Sequence, residues 1–215
     1  YSFLHPENLP LPPASRSALI YHKALSQHPY YHSASGLGIA KSPQGKPYFI
    51  EHGETHPLTL NAHYLSVSHS PLYSVLVLGD HPVAIDCERI SSRKQIKKIL
   101  PKLLQSLMPY TTPRYRLRML THFDGYSQDK QLMIFYRLWT LAEALTKFYG
   151  WTLWQFFQRR VPFVFETFDN LLTHDHFILT SLKVNYFQRH SHLHCVVSTS
   201  QVTGPFIDCT PCPSP

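Results

Sequence analysis

Charge is what this chain has least of. Asp, Glu, Lys and Arg make up 15% of its 215 residues, against about a quarter in an average globular domain. It has no long Lys/Arg block and no dense basic stripe interleaved with aromatics, so the usual electrostatic footprint of a nucleic-acid binder is missing. No apolar run approaches the ~20 residues that cross a bilayer, and no membrane span is expected. The first ten residues, Tyr1 to Pro10, lack a basic stretch followed by an apolar core, so they do not read as a secretory signal. Four cysteines are too few and too unevenly spaced for a disulfide framework. Cys209 and Cys212 form a C-x-x-C, but in a Pro-rich end with no second pair to complete a zinc site. The expected compartment is therefore the reducing cytoplasm, and residues 208–215 are expected to be a flexible tail.

The hydrophobic fraction is an ordinary 43%, enough for one large domain or two small ones. The net charge of +7 with His neutral favours an anionic partner: nucleic acid, a phosphorylated cofactor, an acidic protein or a membrane surface. The densest basic stretch, Arg93, Lys94, Lys97, Lys98 and Lys102, reads as a solvated helix face.

Along the chain, a Pro-rich start precedes a helix signal over Ser15–Leu25, which carries Arg16, His22 and Lys23. Gly45-Lys46-Pro47-Tyr48-Phe49 predicts a tight turn presenting Lys46, then a short strand. Tyr64–Ser68 alternates as a strand and closes on Ser68-His69-Ser70-Pro71. Tyr73–Leu78 and Val83–Cys87 read as two more strands. A helix is expected over Ile96–Met108, interrupted by Pro101, and residues 109–131 read as a polar connector. A long helix spans Leu132–Tyr149, and Trp151–Phe157 is aromatic-rich. Pro162–Phe165, Phe177–Leu182 and Leu193–Ser198 are strand candidates. The chain reads helix, strands, helix, and then again helix, strands, an order that suggests two similar α+β halves meeting near residue 100, although no repeat is visible in the sequence.

Two stretches carry chemistry. In Val83-Ala84-Ile85-Asp86-Cys87-Glu88, the two carboxylates are two residues apart and point to one side of a strand. Adjacent carboxylates repel, so a cation is expected between them, either a divalent metal or a basic side chain. In Trp139 to Lys147, W-T-L-A-E-A-L-T-K, the helix carries two stripes. Leu138, Leu141, Leu145 and Phe148 form an apolar face, while Trp139, Glu143 and Lys147 follow one another at i, i+4 and i+8. Taken alone, that second stripe is an ordinary surface Glu–Lys pair worth a few tenths of a kcal/mol. Fifteen histidines are also present, with His190, His192 and His194 alternating. They read as exposed or half-buried polar positions, since no carboxylate or Cys completes a metal site at recognisable spacing.

Taken in order, G-K-P-Y-F, S-V-S-H-S, A-I-D-C-E and W-T-L-A-E-A-L-T-K resemble the 4′-phosphopantetheinyl transferase family, of the monomeric, surfactin-synthetase-activating type. The resemblance covers about residues 45–150. It implies an α+β fold of two pseudo-symmetric halves, each a small antiparallel sheet packed with a long helix, with the active site between them. The halves would be residues 1–100 and 101–207. It also implies Mg²⁺-dependent transfer of phosphopantetheine from coenzyme A to a serine of an acidic apo carrier protein, in fatty-acid or secondary-metabolite biosynthesis. On that pattern Asp86, Glu88 and Glu143 would hold Mg²⁺, and Lys147 would pair with the phosphates. Glu143 would also serve as base for the serine hydroxyl. Ser68 and His69 would contact the 3′-phosphate, and Lys46 and Arg16 would bind the cofactor. The chain departs from the family pattern at Ala84, where the family has Gly, and at Ala142, where it has Lys. A non-catalytic binder of coenzyme A or carrier proteins is the alternative reading. A metal-dependent nuclease is another, disfavoured because the Lys lies four residues after the Glu, a helical spacing.

Overall fold

The computed structural model describes residues 2–4, 21, 37–42, 45–51, 64–70, 73–91, 95–108, 111–159, 161, 165, 167–189 and 191–200. It is a mixed α+β fold with small antiparallel sheets and several helices. Arg16 and, apart from Tyr21, the helix expected over Ser15–Leu25 lie outside the described residues. So do most of the Pro162–Phe165 strand candidate, His190 and residues 201–215.

Strand β1 (Ser2–Leu4), β5 (Tyr73–Gly79) and β4 (Tyr64–His69) form one sheet in the order β1-β5-β4. β2 (Leu37–Lys41) and β3 (Pro47–Glu51) form a separate two-stranded sheet that touches β4. The largest sheet runs β6-β9-β8-β7, from β6 (Val83–Arg89), β7 (His176–Leu179), β8 (Leu182–Arg189) and β9 (His192–Ser198). β6 is thus joined to strands more than 80 residues further along the chain, with Asp86 opposite Cys195 and Glu88 opposite Leu193.

Five helices complete the described fold: α1 (Ile96–Leu107), α2 (Pro113–Asp124), α3 (Gln128–Tyr149), α4 (Leu153–Gln158) and α5 (Phe168–Thr173). α1 continues through Pro101 rather than breaking there. The ring removes one backbone donor, while Leu100, Leu103, Leu104 and Leu107 anchor the same helix in the core. The connector expected over residues 109–131 contains α2. Thr112 caps it by accepting from the Tyr115 amide at 3.2 Å, and Pro113 opens its first turn. The Phe177–Leu182 candidate is not one strand but the end of β7, a two-residue turn and the first residue of β8. Thr180 makes that turn at φ 55°.

α3 organises the core. Ile134, Phe135, Tyr136, Leu138, Leu141, Ala142, Ala144 and Leu145 on it are all buried, so its apolar surface is wider than one stripe. It packs on β6 and β9 and meets α1, α4 and α5. A second, smaller cluster of Val75, Val77, Val83, Ile85, Cys87 and Val196 lies on the other face of β6 and β9. Both faces of these two strands are therefore covered. That explains why His192 and His194 are buried, at 0% and 4% exposure, instead of exposed or half-buried.

One buried cation holds the α5–β7 connection. Arg137 Nη1 donates to the carbonyls of Leu171 (2.8 Å) and His174 (3.0 Å), and Nη2 to Asp175 Oδ1 at 2.5 Å. The guanidinium lies 4.8 Å from the Tyr186 ring centroid, and the Tyr186 hydroxyl donates to the Arg137 carbonyl. Arg137→Met is expected to cost about 2 kcal/mol by leaving these carbonyls without a donor. Urea unfolding would read it, and a loss under 0.5 kcal/mol, ordinary for surface changes, would contradict it.

Candidate active site

The site grows out of β6. Side chains alternate across a strand, so Ala84, Asp86 and Glu88 share one face with Val197, Cys195 and Leu193 of β9. That face meets α3. Val83, Ile85 and Cys87 point the other way, into the second cluster.

Among the described residues, no strand pairs with the second edge of β6 by a backbone ladder. Ser66 and Ser68 of β4 cover it instead. The Ile85 amide donates to Ser66 Oγ and the Cys87 amide to Ser68 Oγ, each at 3.2 Å. Ser68 Oγ in turn donates to Asp86 Oδ1 at 2.9 Å. The S-x-S spacing works because residues two apart face the same side of β4. His69 therefore points to the opposite side, where its ring Nδ1 lies 2.8 Å from Ser74 Oγ of β5.

α3 presents its Trp139, Glu143 and Lys147 stripe to this strand. Lys147 Nζ donates to Asp86 Oδ1 at 2.7 Å and to the Ile85 carbonyl at 3.2 Å. Trp139 Nε1 donates to Glu88 Oε1 at 3.0 Å. Helix and strand thus run in opposite senses. The two helix residues are about 12 Å apart along their axis and the two carboxylates about 7 Å apart along theirs. The long Lys and Trp side chains span the difference. Glu143 lies between them on the same stripe and is half-buried.

Asp86 is 4% exposed. Its Oδ2 is buried with no hydrogen-bond partner among the described residues. The cation expected beside the carboxylates is, at Asp86, the Lys147 ammonium. Magnesium takes hard oxygen donors, and Asp86, Glu88 and Glu143 are of that type, with Asp86 Oδ2 one buried oxygen still unpartnered. Among the described residues, no three His, Cys, Asp or Glu side chains stand together as a metal-binding group.

Lys46 approaches from the β2–β3 hairpin. Gly45, at φ +82°, makes the turn, and its amide donates to the Ser42 carbonyl at 2.7 Å. A side chain at that φ would be strained. The turn sets Lys46 Nζ 3.4 Å from the carbonyl of Phe148, in the last turn of α3. There the helix dipole favours a cation, while burial pushes the Lys46 ammonium pKa below its usual value.

Of the sequence-derived candidates, Ser68, Asp86 and Lys147 are in direct contact, Glu88 is joined through Trp139, and Lys46 stands at the end of the same helix. His69 faces away from this cluster, toward Ser74. Trp139 and Ser66, to which the family pattern assigns no role, also bond to β6. The regular Trp139-Glu143-Lys147 spacing and the Ser66-x-Ser68 repeat were their signals. The chain matches no family model and no curated protein. Ala84 and Ala142, where the pattern that the sequence resembles has Gly and Lys, are both fully buried. A lysine at position 142 would carry its ammonium into that core at severe cost.

Proposed function

We propose that the chain is a 4′-phosphopantetheinyl transferase, acting on coenzyme A and an acidic apo carrier protein. The observation that carries this reading is the convergence of three separate motifs on one spot. Ser68, Asp86 and Lys147, 79 positions apart from first to last, meet at a single carboxylate oxygen. An ammonium beside a carboxylate that could hold a divalent cation suits cleavage of a pyrophosphate, because its oxygens must be neutralised while the nucleophile is held in line.

In the reaction, the carrier serine Oγ forms a bond to the phosphorus nearer pantetheine. The bond from that phosphorus to the bridging oxygen breaks, and adenosine 3′,5′-bisphosphate leaves with the electron pair. Glu143 is the base that accepts the serine proton. Asp86, Glu88 and Glu143 would hold Mg²⁺, which supplies charge neutralisation at the pyrophosphate when bound. Lys147 and Lys46 add fixed positive charge on the same side. The exposed Lys98 and Lys102 of α1 and Arg114 and Arg118 of α2 give the surface a sign that suits an acidic carrier. We read the chain further as a cytoplasmic monomer of two pseudo-symmetric halves, residues 1–100 and 101–207, with the site between them. Among the described residues, no helix is long and apolar enough to cross a membrane.

The test is incubation with coenzyme A, Mg²⁺ and apo carrier proteins of fatty-acid, polyketide and peptide type, followed by intact mass. A phosphopantetheine arm on at least one carrier is expected. No mass gain on any of them would sink the proposal and leave a non-catalytic binder. In the same assay Glu143→Gln is expected to slow transfer at least ~100-fold with an unchanged melting temperature. Wild-type turnover in that variant would remove Glu143 from the mechanism.

A further inference from the structure

The last turn of α3 carries an aromatic stack that the chemistry above leaves unused. Gly150 ends the helix at φ +68°, and the Trp151 amide turns back to donate to the Thr146 carbonyl at 2.8 Å. This left-handed turn folds Trp151 onto Tyr149. Their ring centroids are 4.3 Å apart with planes within 15°. The Phe148 ring meets Tyr149 edge-on at 5.1 Å, and the Arg159 guanidinium lies 4.4 Å from the Trp151 ring centroid.

Core packing accounts for Phe148 and Trp151, which are partly buried against the main cluster. It does not account for Tyr149, which is 43% exposed. A large ring held in a stack yet left open to water presents a flat, pre-ordered surface, and ordering it needs no further loss of entropy. The charges beside it point to one kind of occupant. Lys46 Nζ is bonded to the carbonyl of Phe148, the residue before Tyr149. Arg159 covers Trp151, which Tyr149 also stacks on, so the open ring is that of Tyr149. A flat aromatic surface bordered by cations suits a planar base that carries phosphates.

We infer that the open ring of Tyr149, backed by Trp151, is the surface on which the adenine base of the coenzyme stacks, with Lys46 facing its phosphates. The inference rests on the coenzyme A reading and adds the residues that recognise its nucleotide end. Stacking binds the base by its face, so it discriminates little between bases. The pantetheine arm makes no use of it.

The experiment is calorimetric titration of the whole chain with adenosine 3′,5′-bisphosphate and with coenzyme A, alongside the transfer assay. Tyr149→Leu is expected to weaken both ligands about tenfold, the size of one lost base–aromatic stack. In transfer, KM for coenzyme A should rise by the same factor with kcat kept. Tyr149→Phe, which keeps the ring, is expected to bind like wild type. Binding by Tyr149→Leu within twofold of wild type overturns the inference, as does an equal loss in Tyr149→Phe. If wild type binds both nucleotides with this pattern yet transfers no arm, the stacking site stands and the transferase reading fails. If wild type binds neither, both fail.

Discussion

Replacing Lys147 with Met is expected to cost about 3 kcal/mol of stability at pH 7 and, on the proposed function, to abolish phosphopantetheine transfer. The stability loss follows from Asp86. Its carboxylate is 6% exposed, and Lys147, whose side chain is 30% exposed, is its ion-pair partner among the described residues. Removing the ammonium leaves Ser68 Oγ as the donor to Asp86 Oδ1, with Oδ2 still unpartnered. A buried charge stripped of its partner costs several kcal/mol, and the partial exposure of Lys147 puts the expectation at the low end. The double variant Lys147→Met/Asp86→Asn removes both charges and is expected to regain more than half of the loss. Urea unfolding of wild type, both single variants and the double variant gives the coupling. A coupling below ~0.5 kcal/mol, typical of exposed pairs, would mean that the pair does not hold α3 to β6. Transfer in the double variant should stay at zero, because restored packing does not restore charge at the pyrophosphate. That split separates the structural part of Lys147 from its part in the reaction.

The same pair shows how far the sequence could be read. Residue types and spacing identified Asp86, Glu88, Glu143 and Lys147, and alternation along β6 correctly put the two carboxylates of that strand on one side. A cation does stand beside Asp86, while the donor at Glu88 is the neutral indole of Trp139. What spacing could not supply was which cation, because Asp86 and Lys147 are 61 residues apart and only the packing of α3 on β6 joins them. The indole of Trp139 on Glu88 is hidden for the same reason: a large aromatic at helical spacing ordinarily signals core. Ser68 looked like a residue that reaches outward to a phosphate. It is instead buried, joining the edge of β6 to Asp86.

For the fold, strong periodicity was enough and weak periodicity was not. α3 and the strands β4, β5, β6 and β9 were legible to within a few residues, because each has a long apolar pattern and a clear stop such as Gly150 or Pro71. α2 was missed because only Met119 and Phe123 on it are fully buried, so its apolar stripe is too thin to stand out. Its end signals, Thr112-Pro113 and Gly125, were present and outweighed. The β7–β8 hairpin was missed because its turn uses Thr180 at positive φ, where Gly or Asn would have announced it. The burial of His192 and His194 was not legible at all. It depends on the sheet of β4 and β5, more than 110 residues earlier, covering the second face of β9.

That burial leads to the other large effect. Acidification from pH 7 to pH 4 is expected to remove about 3 kcal/mol of stability through His194 alone. Its imidazole is 4% exposed, with Nε2 4.0 Å from Cys87 Sγ. Burial pushes its pKa down to about 4. The neighbouring His192 and Arg189 push the same way, and Asp86 opposes them. In the unfolded chain the same group titrates near 6.5. Between these two values the unfolded state holds the proton and the folded state does not, so stability falls as pH falls through that window. Below pH 4 both states are protonated and the effect is complete. A drop from 6.5 to about 4, at 1.36 kcal/mol for each tenfold, gives the stated size. Carboxylates also titrate toward the bottom of this range, so the measurement is a comparison. Urea unfolding of wild type and His194→Leu is followed from pH 7 to pH 4. Leu suits a buried position that pairs across the sheet with Cys87 and Phe187, so the variant should be as stable as wild type or nearly so at pH 7. Its curve should be flatter by about 3 kcal/mol across the window. Parallel curves would show that His194 takes up its proton inside the folded chain as readily as outside it, which the closed second face of β9 does not allow.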